Sequence, residues 1–217
     1  GELLTYNQGK LGRGFAICTS CGYADSESSY GEGRAELRKS FAHHRSLTAK
    51  ARRSGAPPRC WKDGESPVLR NRTLFAVQTT DVLLLDASAC AGLPPGSPDD
   101  ALLTLGLALS AGGARLLEVD SRELGVFMIP LDATRSGIGL YDAVPGGAGH
   151  VLELAEMGVE WLQEAARVLF VDAEHDERCE HACLRCVLTF ESQRADVSRR
   201  LQRRAARDLL AHWGFTV

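Results

Sequence analysis

The chain of 217 residues lacks any long apolar run: the longest uncharged one, Leu102 to Ala114, is too short and too glycine-rich to cross a bilayer. No basic-then-apolar leader opens it, so neither a secreted nor a membrane protein is expected, and a cytoplasmic location is. No Gly-Lys-Ser/Thr follows a glycine-rich turn, which excludes a Walker-type nucleotide loop, and Gly9-Lys10-Leu11 does not supply one. No Gly-x-Ser-x-Gly elbow and no His-Glu-x-x-His occur, so no hydrolase nucleophile or zinc-protease motif is nominated. Internal repeats are absent as well.

What the chain does have is seven cysteines, an odd number that cannot pair fully within one chain. In a cytosolic protein of this size metal ligation or burial accounts for them better than a disulfide framework. Charge is also unevenly spread. The net is −3, yet residues 34–72 carry eleven Lys/Arg against Glu36, Asp63 and Glu65, and residues 191–217 carry six arginines against three acids, leaving −14 on the rest. A basic segment on an acidic body suits a polyanion or an acidic partner, or a solvated loop. The candidate nucleic-acid contacts are Arg38, Lys39, Arg45, Lys50, Arg52 and Arg53, joined by Arg200 and Arg204 from the last helix.

The fold expected is α/β, a mixed sheet with flanking helices, divided into a basic metal-binding extension over 1–72 and an α/β domain over 73–217. The Thr73–Asp86 stretch reads as one buried strand or two in succession. Asp99 and Asp100 precede the apolar run Leu102–Leu109, a helix start, and Gly112-Gly113 would end or interrupt that helix. Strands are predicted over Glu123–Leu131 and Gly137–Asp142. One amphipathic helix is expected from His150 to Phe170, and a basic helix from about Ala195 to Trp213, with Val197, Leu201, Ala205, Leu209 and Trp213 on its apolar face.

Two clusters offer metal ligands. Cys18-x-x-Cys21-Gly22 places two thiolates on a tight turn, but a closed tetrahedral site needs two more donors, for which His43 or His44 and Cys60 are the candidates. Cys179-Glu-His-Ala-Cys183-Leu-Arg-Cys186 gathers three cysteines and His181 within eight residues. The two Cys-x-x-Cys pairs could also join in one four-thiolate site. Cys90, between alanines, reads as a small buried hydrophobe. The glycine-rich turn Gly146, Gly147 and Gly149, between a strand and a helix start, suits an anion such as phosphate or simply a tight turn. Tyr141 and Asp142 beside it are what an enzyme reading, hydrolase or nuclease, would use; a third class is a protein-interaction scaffold without DNA contact.

Taken in order, Gly14–Gly22, Thr79–Leu84, Glu123–Gly125, Leu140–Gly149 and Cys179…Ala182-Cys183-Leu-Arg-Cys186 resemble the MrfA-type zinc-binding domain. That domain is found at the C-terminus of many bacterial superfamily-2 DEAD/DEAH-box helicases, with relatives in DrmB-like phage-defence proteins of the DISARM system. The resemblance spans about residues 14–190. It implies a zinc-stabilised accessory module of a DNA helicase, in antiviral defence or DNA repair, with DNA backbone and a helicase motor domain or subunit as partners and no membrane. It carries Cys179, Cys183 and Cys186 over as ligands. The family's fuller clusters have a further cysteine near the first, and His181 stands in that neighbourhood. No motor motif is present, so ATP hydrolysis would belong to another domain or subunit.

Overall fold

The computed structural model describes residues 1–29, 44, 68–86, 98–132, 135–189, 192 and 200–216. The chain divides into two units, Leu4–Val77 and Gly1–Leu3 with Gln78–Val217.

In the smaller unit, strand β2 (Phe15–Cys18) lies between β3 (Ala24–Ser26) and β4 (Val68–Arg72), antiparallel to both. Cys18 stands opposite Val68, and Ile17 opposite Ala24. Among the described residues this sheet fully buries only Ala16 and Cys18, with Cys21, Tyr23 and Val68 against them. Strand β1 (Glu2–Asn7) pairs with β5 (Leu74–Thr79) as a separate ribbon.

The larger unit is built around helix α1 (Pro98–Leu116), whose acids Asp99 and Asp100 sit in the first turn where the helix dipole favours them. Strands β6 (Val82–Leu85), β7 (Leu124–Pro130) and β8 (Ser136–Asp142) form a sheet with β8 in the middle, antiparallel to both neighbours. Every pairing in the two three-stranded sheets is antiparallel, where a mixed sheet was expected. A short reversal after Pro130 sets Ser136 back opposite it, which leaves no room for the crossover a parallel pair requires. Two separate strands, β5 and β6, occupy the Thr73–Asp86 stretch.

Leu102, Leu105, Ala108 and Leu109 of α1 share one core with Leu124, Ile138 and Leu140 of the sheet. Helix α3 (Val159–Leu169) packs along α1 and contributes Trp161, Ala165, Val168 and Leu169 to that core, and the Trp161 indole N–H donates to the Leu109 carbonyl at 2.8 Å. Helix α5 (Arg203–His212) closes it with Ala206, Leu209 and Leu210. The described part of the last helix thus begins at Arg203, and residues 195–199 lie outside the described residues. Of its expected apolar face, Leu201 and Leu209 are buried and Trp213 packs against the core, while Ala206 is buried in place of Ala205 and Val197 lies outside the described residues.

Two expectations about glycine are corrected. Helix α1 runs straight through Gly112 and Gly113 to Leu116. A Cβ on Gly112 would lie 2.9 Å from the Ala165 backbone nitrogen, and one on Gly113 would lie 2.5 Å from a Leu154 methyl. These glycines let helices approach closely; they do not end one. Replacing Gly112 with alanine should therefore destabilise the chain by about 1–2 kcal/mol in urea unfolding, because overpacking against a backbone outweighs alanine's better helix propensity of about 1 kcal/mol. Conversely, the expected single helix from His150 to Phe170 is two, α2 (His150–Met157) and α3, broken at Gly158, whose φ of 51° is left-handed. None of the described helices is long and apolar enough to cross a membrane.

Candidate metal centre

The C-terminal cluster is assembled by a short helix and a turn. Helix α4 (Ala173–Arg178) starts at Asp172, whose carboxylate accepts the His175 N–H at 2.7 Å, and ends with the Cys179 N–H donating to the His175 carbonyl. Residues four apart on a helix share a face, so His175 and Cys179 stand together. After a three-residue loop the chain turns at Cys183-Leu-Arg-Cys186, with the Cys186 and Leu188 N–H groups donating to the Cys183 carbonyl. Within the turn, backbone amides point at sulfur: Cys183 N–H to Cys186 Sγ at 3.2 Å and Arg185 N–H to Cys183 Sγ at 3.4 Å.

The ligand atoms of His175, Cys179, Cys183 and Cys186 all lie within 4.8 Å of one another. Cys186 Sγ is 3.9 Å from both Cys179 Sγ and Cys183 Sγ, and His175 Nε2 is 3.2 Å from Cys183 Sγ. A tetrahedral zinc with Zn–S of about 2.3 Å separates its sulfurs by about 3.8 Å, so these spacings fit the ion. His175 is buried, its Nδ1 has no hydrogen-bond partner, and the faces of three thiols and one imidazole are turned together. Three soft sulfurs with one imidazole make a donor set suited to zinc.

The electrostatics agree with this donor set. Burial, aided by the neighbouring Arg203 and Arg185 charges, pushes the His175 pKa down and keeps its imidazole neutral, as a ligand must be. Burial and the adjacent Cys186 push the Cys179 thiol up to about 12. Cys183 is held below its ordinary value despite burial, by the Arg185 amide and the neighbouring thiols. A bound dication would supply the positive charge that lets three crowded sulfurs ionise together.

Arg203 holds this cluster to the core. It is fully buried, and its guanidinium donates to the carbonyls of Cys179 (2.9 Å from Nε) and Leu169 (2.7 Å) while pairing with the Asp176 carboxylate at 2.9 Å. Arg207 pairs with the same carboxylate, and Arg204 donates to the Asp176 and Glu177 carbonyls. The unsatisfied carbonyls at the end of α4 thus find their donors on α5. The sequence marks six arginines near the end of the chain without distinguishing the one that turns inward, so Arg203 is a residue that sequence reasoning misses.

Apart from the glycine turn at 146–149, the expected site residues fall into four groups. Cys179, Cys183 and Cys186 come together, and the fourth side chain gathered with them is His175; His181 is exposed and lies outside the group, its carbonyl accepting the Arg203 backbone N–H. Cys18, Cys21 and His44 form a second group. His43, Cys60, Arg38, Lys39, Arg45, Lys50, Arg52, Arg53 and Cys90 lie outside the described residues. Of the two arginines expected on the last helix to face nucleic acid, Arg200 pairs with Asp100 at 2.7 Å and Arg204 is engaged with the α4 carbonyls.

The glycine turn holds an anion of the chain's own. Asp142 is fully buried, and its carboxylate accepts N–H bonds from Ala148 (2.7 Å), His150 (3.1 Å) and Val151 (3.0 Å) at the start of α2. The Gly146 N–H donates to the Thr79 carbonyl and the Gly147 N–H to that of Val144. A Cβ on Gly147 would fall 2.2 Å from an Asp81 carboxylate oxygen, which requires glycine there. Two of the three glycine amides expected to cradle a phosphate, those of Gly146 and Gly147, thus donate within the chain, and the Asp142 carboxylate is engaged by the start of α2.

Comparison with known proteins agrees with the metal centre. The family model of the MrfA Zn-binding domain matches residues 105–187, a segment that contains all four ligands of the tetrad. No curated protein matches the chain. Among solved structures, the crystal structure of the DUF1998 helicase MrfA bound to DNA is similar, with 19% identity and a TM-score of 0.43 over 69% of this chain. The chain spans 19% of the length of that helicase.

Proposed function

We propose that this chain is a zinc-binding accessory domain or subunit of a superfamily-2 DNA helicase assembly, cytoplasmic and serving antiphage defence or DNA repair, which contributes DNA binding and complex assembly without a motor of its own. The observation that carries this reading is the convergence of His175, Cys179, Cys183 and Cys186 inside the segment that matches the MrfA Zn-binding domain. Zinc would fix residues 173–189 against the core through Cys179, Cys186 and Val187. The contact with DNA would come from the basic segment, where Arg38, Lys39, Arg45, Lys50, Arg52 and Arg53 meet phosphates without reading bases.

Fluorescence anisotropy of the full chain with a duplex, between 50 and 200 mM salt, tests the DNA contact. With about four phosphates neutralised, affinity should fall about 100-fold across that range. Replacing Arg52 and Arg53 with glutamate should reduce the slope of log affinity against log salt by about 2. Binding that ignores salt, or is untouched by those substitutions, overturns the electrostatic contact.

A second reading, a protein-interaction scaffold without DNA contact, is favoured by the exposed Leu4, Tyr6, Phe75 and Val77 on the β1–β5 ribbon. Mobility shifts with and without a helicase partner separate the two: a scaffold shifts DNA only when the partner is present.

A further inference from the structure

The described residues of the smaller unit bury few apolar side chains. Among its described residues only Ala16 and Cys18 are fully buried in a hydrophobic cluster, and strands β2, β3 and β4 are four, three and five residues long. Short strands with little apolar burial of their own gain from a cross-link that does not depend on a hydrophobic core.

The residues that could supply it are gathered at one end of β2. Cys18 closes that strand, and the turn that follows is pinned by the Gly22 N–H to the Cys18 carbonyl and the Cys18 N–H to the Tyr23 carbonyl, each at 2.8 Å. Gly22, at φ 77°, lets the chain reverse so that Cys21 comes back beside Cys18. His44, 23 residues further on, is buried against this turn, stacked on the Tyr23 ring at 4.7 Å between centroids with an interplanar angle of 11°. Stacking places His44 Nε2 at 3.2 Å from Cys21 Sγ, and the ligand atoms of Cys18, Cys21 and His44 all lie within 4.8 Å of one another.

We infer that Cys18, Cys21 and His44 bind a second zinc ion, independent of the tetrad, with one corner left for a further donor. Two thiolates from a knuckle and one imidazole from a distant segment are a soft donor set whose atoms lie close enough to share one ion. The ion would cross-link residues 23 apart in sequence and add coordination bonds to the cohesion of the sheet. Tyr23 would hold the imidazole plane, so that Nε2 faces the sulfurs without reorganisation.

Metal analysis of the full chain, purified in zinc, tests this separately from the tetrad. The wild-type chain should carry two zinc ions, Cys186→Ser one, Cys21→Ser one, and the double variant none. Substituting His44→Cys should preserve both ions and, after exchange into cobalt, strengthen the thiolate charge-transfer absorption; His44→Ala should lose one ion. Zinc content that is the same in wild type, Cys21→Ser and His44→Ala overturns the second site, as does a His44→Cys cobalt spectrum without added thiolate absorption. Failure of the tetrad would appear instead as an unchanged count in Cys186→Ser.

Discussion

Cys186→Ser is expected to remove the tetrad's zinc and to lower the melting temperature by about 10–20 °C. Losing a structural metal belongs to the rare class of changes that cost more than about 4–5 kcal/mol, and for a chain of this length each kcal/mol shifts the midpoint by about 2–4 °C. The effect should be large because the ligands belong to the core. Cys179 and Cys186 are buried in the same cluster as Leu169, Leu201 and Leu209. Arg203, which holds the Cys179 carbonyl, would lose the fixed loop it is bonded to and be left buried with fewer partners. His175→Ala should act in the same direction. His181→Ala should change neither zinc content nor melting temperature, since His181 is exposed and outside the ligand group. Calorimetry beside metal analysis reads both quantities. A Cys186→Ser chain that keeps its zinc, or a His181→Ala chain that loses it, would sink the assignment of the four ligands.

Asp142→Ala should destabilise the larger unit by about 3 kcal/mol, since three charge-assisted hydrogen bonds vanish and buried N–H groups lose their acceptor. The neighbourhood cannot relax to compensate. Asp142 ends the central strand of its sheet, its own N–H donates to the Asp81 carbonyl, and Thr80 donates its hydroxyl to the Asp142 carbonyl at 2.6 Å. Asp142→Asn keeps one acceptor oxygen and places an N–H₂ against amide donors, so it should fall between alanine and wild type. Urea unfolding with zinc present measures this, and the tetrad's zinc should stay in place. An alanine variant within 0.5 kcal/mol of wild type would refute the capping role.

Much of the architecture is legible along the chain. Strands β7 and β8 fall within a residue or two of the predicted Glu123–Leu131 and Gly137–Asp142, α1 begins at its acidic pair, and the three cysteines at 179, 183 and 186 meet. These features depend on short-range chemistry, namely periodicity, capping and the closeness of ligands in sequence. What escapes a linear reading involves a partner from elsewhere in the fold. Gly112 and Gly113 look like a helix end because alone they weaken a helix; only the α3 backbone beside them explains their absence of side chains. Asp142 resembles a catalytic acid next to a glycine-rich turn, and becomes a cap once α2 aims its amides at the carboxylate. A helical His175-x-x-x-Cys179 spacing could have identified the fourth ligand, but His181 stands nearer in sequence and draws attention away from it.

The order of residues by itself determined which side chains could bind a soft metal, where the sheet of the larger unit runs and where positive charge collects, because those properties belong to residues and to neighbours a few positions apart. Tertiary structure alone decided which histidine faces the thiols, which arginine is buried to hold them, and which carboxylate satisfies the start of α2. Each of those choices is a competition among chemically equivalent candidates, and it is settled by which one the packing of distant helices brings within hydrogen-bonding reach.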